Sequence, residues 1–215
     1  DGLADPSAYL ERLRSLIGPQ RWLVIEKILA EGEPLDMTLP VDGTTGYDAL
    51  DELAAVFVDP RGDKALTAVS RTYTGSDGDA AWLHSQERDL KRSVLRSGLA
   101  PEVARLVRAI RKDTAGHGAA GSGQEFSDAV LRDAVTTVAA RVPVYRADYA
   151  PLATMLPRIV GEVAREEPGL GPALRVLTTA LAAGGEAAAR FGQVCGAATA
   201  RAVEDCLFYR AARLV

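Results

Sequence analysis

Trp22-Leu23-Val24-Ile25-Glu26-Lys27-Ile28 opens with an uninterrupted apolar tetrad that is closed by a carboxylate. A short apolar run between turn residues reads as a strand buried on both faces, as in the parallel sheet of an α/β fold. Gly18-Pro19 lies upstream, and a glycine- and proline-rich loop, 31–46, lies downstream. Before that turn, Tyr9, Leu10, Leu13, Leu16 and Ile17 fall at helical spacing, with Asp5 or Ser7 as the cap and Pro6 near the first position. One helix and one central-type strand with no partner do not make a self-contained domain. The strand is therefore expected to pair with another copy, to rearrange or to be poorly ordered.

After Tyr47 the pattern is helical almost throughout, over 48–58, 63–74, 79–97, 101–113, 125–142, 150–166, 170–183 and 186–213. Segment 79–97 sets Ala81, Leu83, Leu90, Val94 and Leu95 among many charges, a half-exposed amphipathic pattern. In the next helix Val103, Leu106, Val107 and Ile110 share one face, and Phe191, Cys195, Ala198, Ala202 and Cys206 form a narrow stripe suited to packing. The Gly/Ala/Ser-rich stretch 114–123 reads as a mobile surface loop.

Composition agrees with a mainly α chain. Apolar residues make up 47% and aromatics 6%, which favours helices packed on helices over a β-sandwich. A net charge of −4 argues against a nucleic-acid partner, which needs a basic face. No apolar run is long enough to span a bilayer, so no membrane partner is expected, and no signal peptide opens the chain. Cys195 and Cys206 are eleven positions apart, roughly 16 Å of helical rise. A disulfide needs Cα atoms within about 7 Å, so both are expected to be reduced, small apolar residues of a cytoplasmic protein. His84 and His117 are too few for a zinc set, and no metal or cofactor is expected.

Parallel-strand enzymes place catalytic groups at the C-terminal strand ends, which is where Glu26 falls. A carboxylic acid flanked there by apolar side chains has its charged form disfavoured by desolvation, the way a general acid is made at neutral pH. Lys27 would temper this or reach a sugar hydroxyl; an ordinary Glu-Lys pair opening a short helix fits equally well. Gly43-Thr44-Thr45-Gly46-Tyr47-Asp48 has the same duality. Its glycines allow close backbone approach, its threonines supply donors, and Tyr47 offers a ring to stack on a pyranose. As a plain turn, it leaves Asp48 near a helix start. Further on, Arg201 with Glu204 and Asp205, and Asp205 with Tyr209, are helical neighbours that read first as a solvated ladder and second as a sugar-binding edge.

Several blocks, in order, resemble the maltooligosyltrehalose synthases of the α-amylase superfamily, glycoside hydrolase family 13. Asp1-Gly2-Leu3 is similar to the tail of that family's Arg-x-Asp-His-x-Asp-Gly-Leu motif. Val24-Ile25-Glu26-Lys27-Ile28-Leu29 and Gly43-Thr44-Thr45-Gly46-Tyr47-Asp48 match its most distinctive block, Pro143-Val144-Tyr145-Arg146 another, and Val203-Glu204-Asp205 with Phe208-Tyr209-Arg210 a third.

The resemblance implies that 1–47 is a piece of a (β/α)8 barrel, one helix and one strand, and that 48–215 is a helical insertion beside the substrate pocket. It also implies conversion of the reducing-end α-1,4 link of a maltooligosaccharide into an α,α-1,1 link. Glu26 would be the acid/base. Asp1, Lys27, Thr44, Thr45, Gly46, Tyr47, Tyr145, Arg146, Glu204, Asp205, Tyr209 and Arg210 would contact substrate. The family's nucleophile would lie three residues before Asp1 and its third catalytic aspartate beyond Val215, so the chain alone is expected to be inactive. One departure concerns the third block: Thr199-Ala200-Arg201-Ala202 stands where the family has Ala-Lys-Gly, which keeps a cation and loses a glycine. Two other readings remain, a non-catalytic α-glucan-binding helical module and an all-helical interaction domain.

Overall fold

A computed structural model describes residues 3–30, 32–76, 78–115, 126–147 and 154–211. Helix α1 (Pro6–Ile17) begins where the Asp5 side chain accepts the Ala8 N–H at 2.9 Å and ends at Gly18, whose φ of +80° only glycine adopts freely. β1 (Val24–Ile25) then pairs in parallel with β2 (Gly43–Thr44), Val24 opposite Gly43 and Ile25 opposite Thr44. Asp42 N–H donates to the Leu23 carbonyl at 2.7 Å and Thr45 N–H to the Ile25 carbonyl at 3.0 Å, which continues the pairing at both ends.

Two expectations about this segment are corrected. The strand has a partner within the chain, supplied by the region read as a loop. It is also not buried on both faces: Leu23 is buried, whereas Trp22 is 87% and Val24 47% exposed. The cause is thin cover. A small apolar cluster of Leu10, Leu23 and Leu39, backed by Leu13, Ile17, Ile25 and Val41, packs one side of a sheet that has two strands among the described residues.

Helix α2 (Tyr47–Ala55) and, after a 3-10 turn at Pro60–Gly62, α3 (Asp63–Thr74) bury no residue. The main core lies beyond them, where α4 (Ala80–Arg96), α5 (Ala100–Ala115), α6 (Asp128–Ala139), α7 (Met155–Glu166), α8 (Gly171–Ala182) and α9 (Glu186–Thr199) pack together. The α5 face of Val103, Leu106, Val107 and Ile110 is fully buried against Leu131 and Val135 of α6, Leu177 of α8 and Phe191 and Cys195 of α9, within the same cluster. Helix boundaries fall within a few residues of the sequence reading. Residues 125, 150–153 and 212–213 of the expected helices, and 116–123 of the expected surface loop, lie outside the described residues.

The last expected helix is the exception. It is α-helical only to Thr199, widens to a π-helix over Ala200–Leu207, and resumes as α10 (Phe208–Ala211). In α4 a charge occupies the inner face: Lys91 is fully buried, and its Nζ donates to Glu87 Oε1 at 2.6 Å and to the Val142 carbonyl at 2.7 Å. That bond ties α4 to the stretch carrying Tyr145 and Arg146. Cys195 is buried, Cys206 is half-buried, and neither forms a disulfide. Among the described residues no helix is long and apolar enough to cross a membrane.

Candidate functional site

Glu26 sits one residue past the end of β1, with its side chain exposed rather than buried as expected. The reason is again the thin cover over the sheet. Its Oε1 accepts a hydrogen bond from the Tyr47 hydroxyl at 3.3 Å. Tyr47 is brought there by the β2–α2 corner. Gly46 takes a left-handed φ of +83° at the start of α2, and its N–H donates to Thr44 Oγ1 at 3.1 Å. Thr44 Oγ1 also lies 3.5 Å from Asp48 Oδ1, so this threonine braces the turn. Asp42 fixes the strand register from beside it, accepting from Arg14 Nη2 at 2.9 Å and Leu23 N–H at 2.7 Å. Those bonds, the arginine's first, hold the Asp42 carboxyl below the usual carboxylate range.

A pocket of about 370 Å³ opens beside Glu26. Ile25, Glu26, Lys27 and Ile28 form one wall, Tyr145, Arg146, Ala200 and Glu204 another, and Leu3, Pro6, Tyr9 and Leu10 a third. Lys27 does not reach toward Glu26. Its Nζ donates to Glu33 Oε1 at 2.6 Å and to the Ile28 carbonyl at 3.1 Å, and lies 5.9 Å from the Tyr145 ring centre. Glu33 is itself buried and accepts the Ala30 N–H at 2.9 Å, so this pair staples the 26–33 chain. The Tyr145 hydroxyl donates to Glu204 Oε1. Arg146 is 4% exposed and donates from Nη1 to the Leu3 carbonyl. It packs so closely against Gly192 that a Cβ there would lie 3.0 Å from Nη2. Burial pushes the Glu204 carboxyl above the ordinary glutamate range, and the negative charges of Asp205 and Glu26 push it the same way.

Glu26, Lys27, Tyr145, Arg146 and Glu204 are thus gathered at one pocket from three separate stretches of sequence. Thr44, Thr45, Gly46 and Tyr47 form the turn beside it without lining it. Asp205, Tyr209 and Arg210 are exposed and outside the lining. Asp1 lies outside the described residues. The expected ladder is corrected as well. Neither Arg201–Glu204 nor Arg201–Asp205 forms an ion pair, because the π-helix bonds i to i+5 and re-aims Glu204 toward Tyr145. Leu3, Pro6, Tyr9, Leu10, Ala200 and the Glu33 staple were not foreseen as site residues. Only Tyr9 and Leu10 left a signal, since adjacent α1 positions cannot both point into one core. Among the described residues no group of three His, Cys, Asp or Glu is placed to hold a metal ion.

No family model matches the chain. A putative maltooligosyl trehalose synthase of Mycobacterium tuberculosis is 44% identical to it over 215 residues, all of this chain and 26% of the relative. End to end, the chain is similar to one segment of the maltooligosyltrehalose synthases. The solved maltooligosyltrehalose synthase from Arthrobacter ramosus superimposes with a TM-score of 0.81 at 34% identity, covering 99% of this chain and 26% of that one. A glycosyltrehalose synthase shares the fold at a TM-score of 0.68 and 23% identity, covering 99% of this chain and 24% of its own. The chain therefore spans about a quarter of the length of the synthases it matches.

Proposed function

We propose that this chain carries part of the active site of an enzyme that turns the reducing-end α-1,4 link of a maltooligosaccharide into an α,α-1,1 link. Glu26 serves as acid/base in a retaining intramolecular transfer. One observation carries the reading: Glu26 stands at the C-terminal end of a parallel strand and at the mouth of a pocket shared with Tyr145, Arg146 and Glu204. The parallel pairing of β1 with β2 supports placing 1–47 in a (β/α)8 barrel and 48–215 in a helical insertion. Two unbridged cysteines suit a cytoplasmic enzyme.

A carboxylate nucleophile attacks the anomeric carbon, and Glu26 protonates the leaving O4. The freed glucose turns in the pocket. Glu26 then takes the proton from its anomeric hydroxyl as that oxygen attacks the glycosyl intermediate and releases the nucleophile. Retention needs two carboxyls about 5–5.5 Å apart, so on this reading Glu26 works with a second carboxylate that acts as the nucleophile. Tyr47 orients Glu26 through its hydroxyl and offers its exposed ring to a pyranose. Thr44, Thr45 and Gly46 present polar backbone at the rim, Tyr145 and Glu204 face the turning glucose, and Lys27 and Arg146 hold the walls. Asp1, Asp205, Tyr209 and Arg210 belong to the outer edge.

The test is Glu26→Gln in an intact synthase carrying this segment. The rate of trehalose-unit formation should fall about 10²–10⁴-fold with KM little changed. Near wild-type turnover would refute the assignment.

A further inference from the structure

A groove between α5 and α9 carries charge that the Glu26 site does not use. Arg105, Arg108 and Lys112 stand at i, i+3 and i+7 along α5, so they share one ridge. Arg190 of α9 closes a surface pocket of about 190 Å³ with them, and Ala109 and Glu186 complete its lining. Cations at such spacing repel one another. The chain as a whole is acidic, with a net charge of −4, so this ridge does not merely reflect composition.

The anions at hand do not balance it. Arg105 pairs with Glu102 at 3.3 Å, while Lys112 and Arg190 share Glu186, at 3.2 and 2.8 Å. Arg190 first and then Lys112 hold the Glu186 carboxyl below the usual range, as a locally positive field requires. Asp113 is turned to the start of α9, where it accepts the Ala187 N–H at 2.8 Å. Arg108 has neither hydrogen bond nor ion pair among the described residues. The first turn of α9 adds the positive end of a helix dipole at the same edge.

We propose that this groove binds a phosphate-type oxyanion, the phosphoryl group of a small phosphorylated molecule or free phosphate, between Arg108 and Arg190. A phosphoryl group offers up to two negative charges on three oxygens and accepts the forked N–H pairs of guanidinium groups. Ala109 adds an apolar contact beside the cations in the lining. Because the cations are exposed, binding weakens with salt.

The experiment titrates the 215-residue chain with inorganic phosphate and with glucose 6-phosphate at low ionic strength, following α5 and α9 amides and arginine Nε–H signals by NMR. Saturable shifts centred on Arg108, Arg190 and Glu186 are expected, with Kd about 1 mM. Arg108→Ala should weaken binding about fivefold and Arg190→Ala similarly. Arg108 makes no bond among the described residues, so its removal is expected to leave the fold in place. Tighter binding of the sugar phosphate assigns the groove to a phosphorylated metabolite, and equal binding assigns it to free phosphate. Shifts that chloride reproduces at matched ionic strength, or an affinity unchanged in Arg108→Ala, would overturn the proposal.

Discussion

Glu204 and Glu26 line one pocket from opposite ends of the sequence, and Glu204 feels the charge of Glu26. A carboxyl that is partly desolvated and faces like charges binds its proton more tightly folded than unfolded. Glu204 should therefore titrate above 4.5 in carbon-detected NMR. Glu26→Gln should move that midpoint down but not to the ordinary value, because burial and Asp205 remain. The sign for stability follows. This group favours folding most below 4.5, and its contribution declines as pH rises from there through the raised midpoint. An unmoved midpoint in Glu26→Gln would mean the two carboxyls are not coupled. At this scale the sequence was informative only where spacing and structure agree. Glu26 and Tyr145, singled out in the sequence, both line one pocket. Glu33 and Lys91 were not singled out, since nothing in a local pattern marks a charge that is buried by residues distant in the chain.

At the scale of elements, α3, α4, α5 and α8 were readable because long amphipathic runs with clear breakers leave little choice. β2 was not readable. Two residues, one of them glycine, have no periodicity, and only the carbonyls of Leu23 and Ile25 make that stretch a strand. The π-helix escaped for a related reason, because α and π turns draw on the same composition and differ in a single added residue. The β1–β2 unit rests on Asp42, whose lowered carboxyl gives a pH dependence of opposite sign to that of Glu204. Its contribution is present above 3.8 and is lost as pH falls through the lowered folded value. Amide exchange at Leu23 and Thr45 should thus quicken below 3.8 while α5 amides stay protected. Asp42→Ala should show the fast exchange already at neutral pH. Equal loss of protection in both regions would mean the unit is not held this way.

As a whole the molecule is unevenly finished. The α4–α9 body is packed around fully buried side chains, whereas Trp22 and Phe57 are 87% and 90% exposed and α2 and α3 bury nothing. Apolar patches of this kind mark surfaces meant to be covered, and β1 keeps one open edge among the described residues. The 215-residue chain should accordingly self-associate and bind a hydrophobic dye, and Val24→Lys should reduce both. A monomer at high concentration that leaves the dye dark would contradict this, with sedimentation velocity as the measurement. The uncovered region and Glu26 both lie within the first 74 residues, where the strand pairing was misread. Local pattern cannot tell a strand covered by its own chain from one covered by something else.

Lys91 has a use of another kind. The chain has four lysines, Lys27, Lys64, Lys91 and Lys112, and only the third is sealed from solvent. An amine-directed reagent will label Lys64 and Lys112 at once, and Lys27 more slowly because Glu33 engages it. Lys91 will react only when α4 parts from the Val142 carbonyl. Mass spectrometry of that one peptide would then be a clock for how often the wall carrying Tyr145 and Arg146 swings free, read without any substrate.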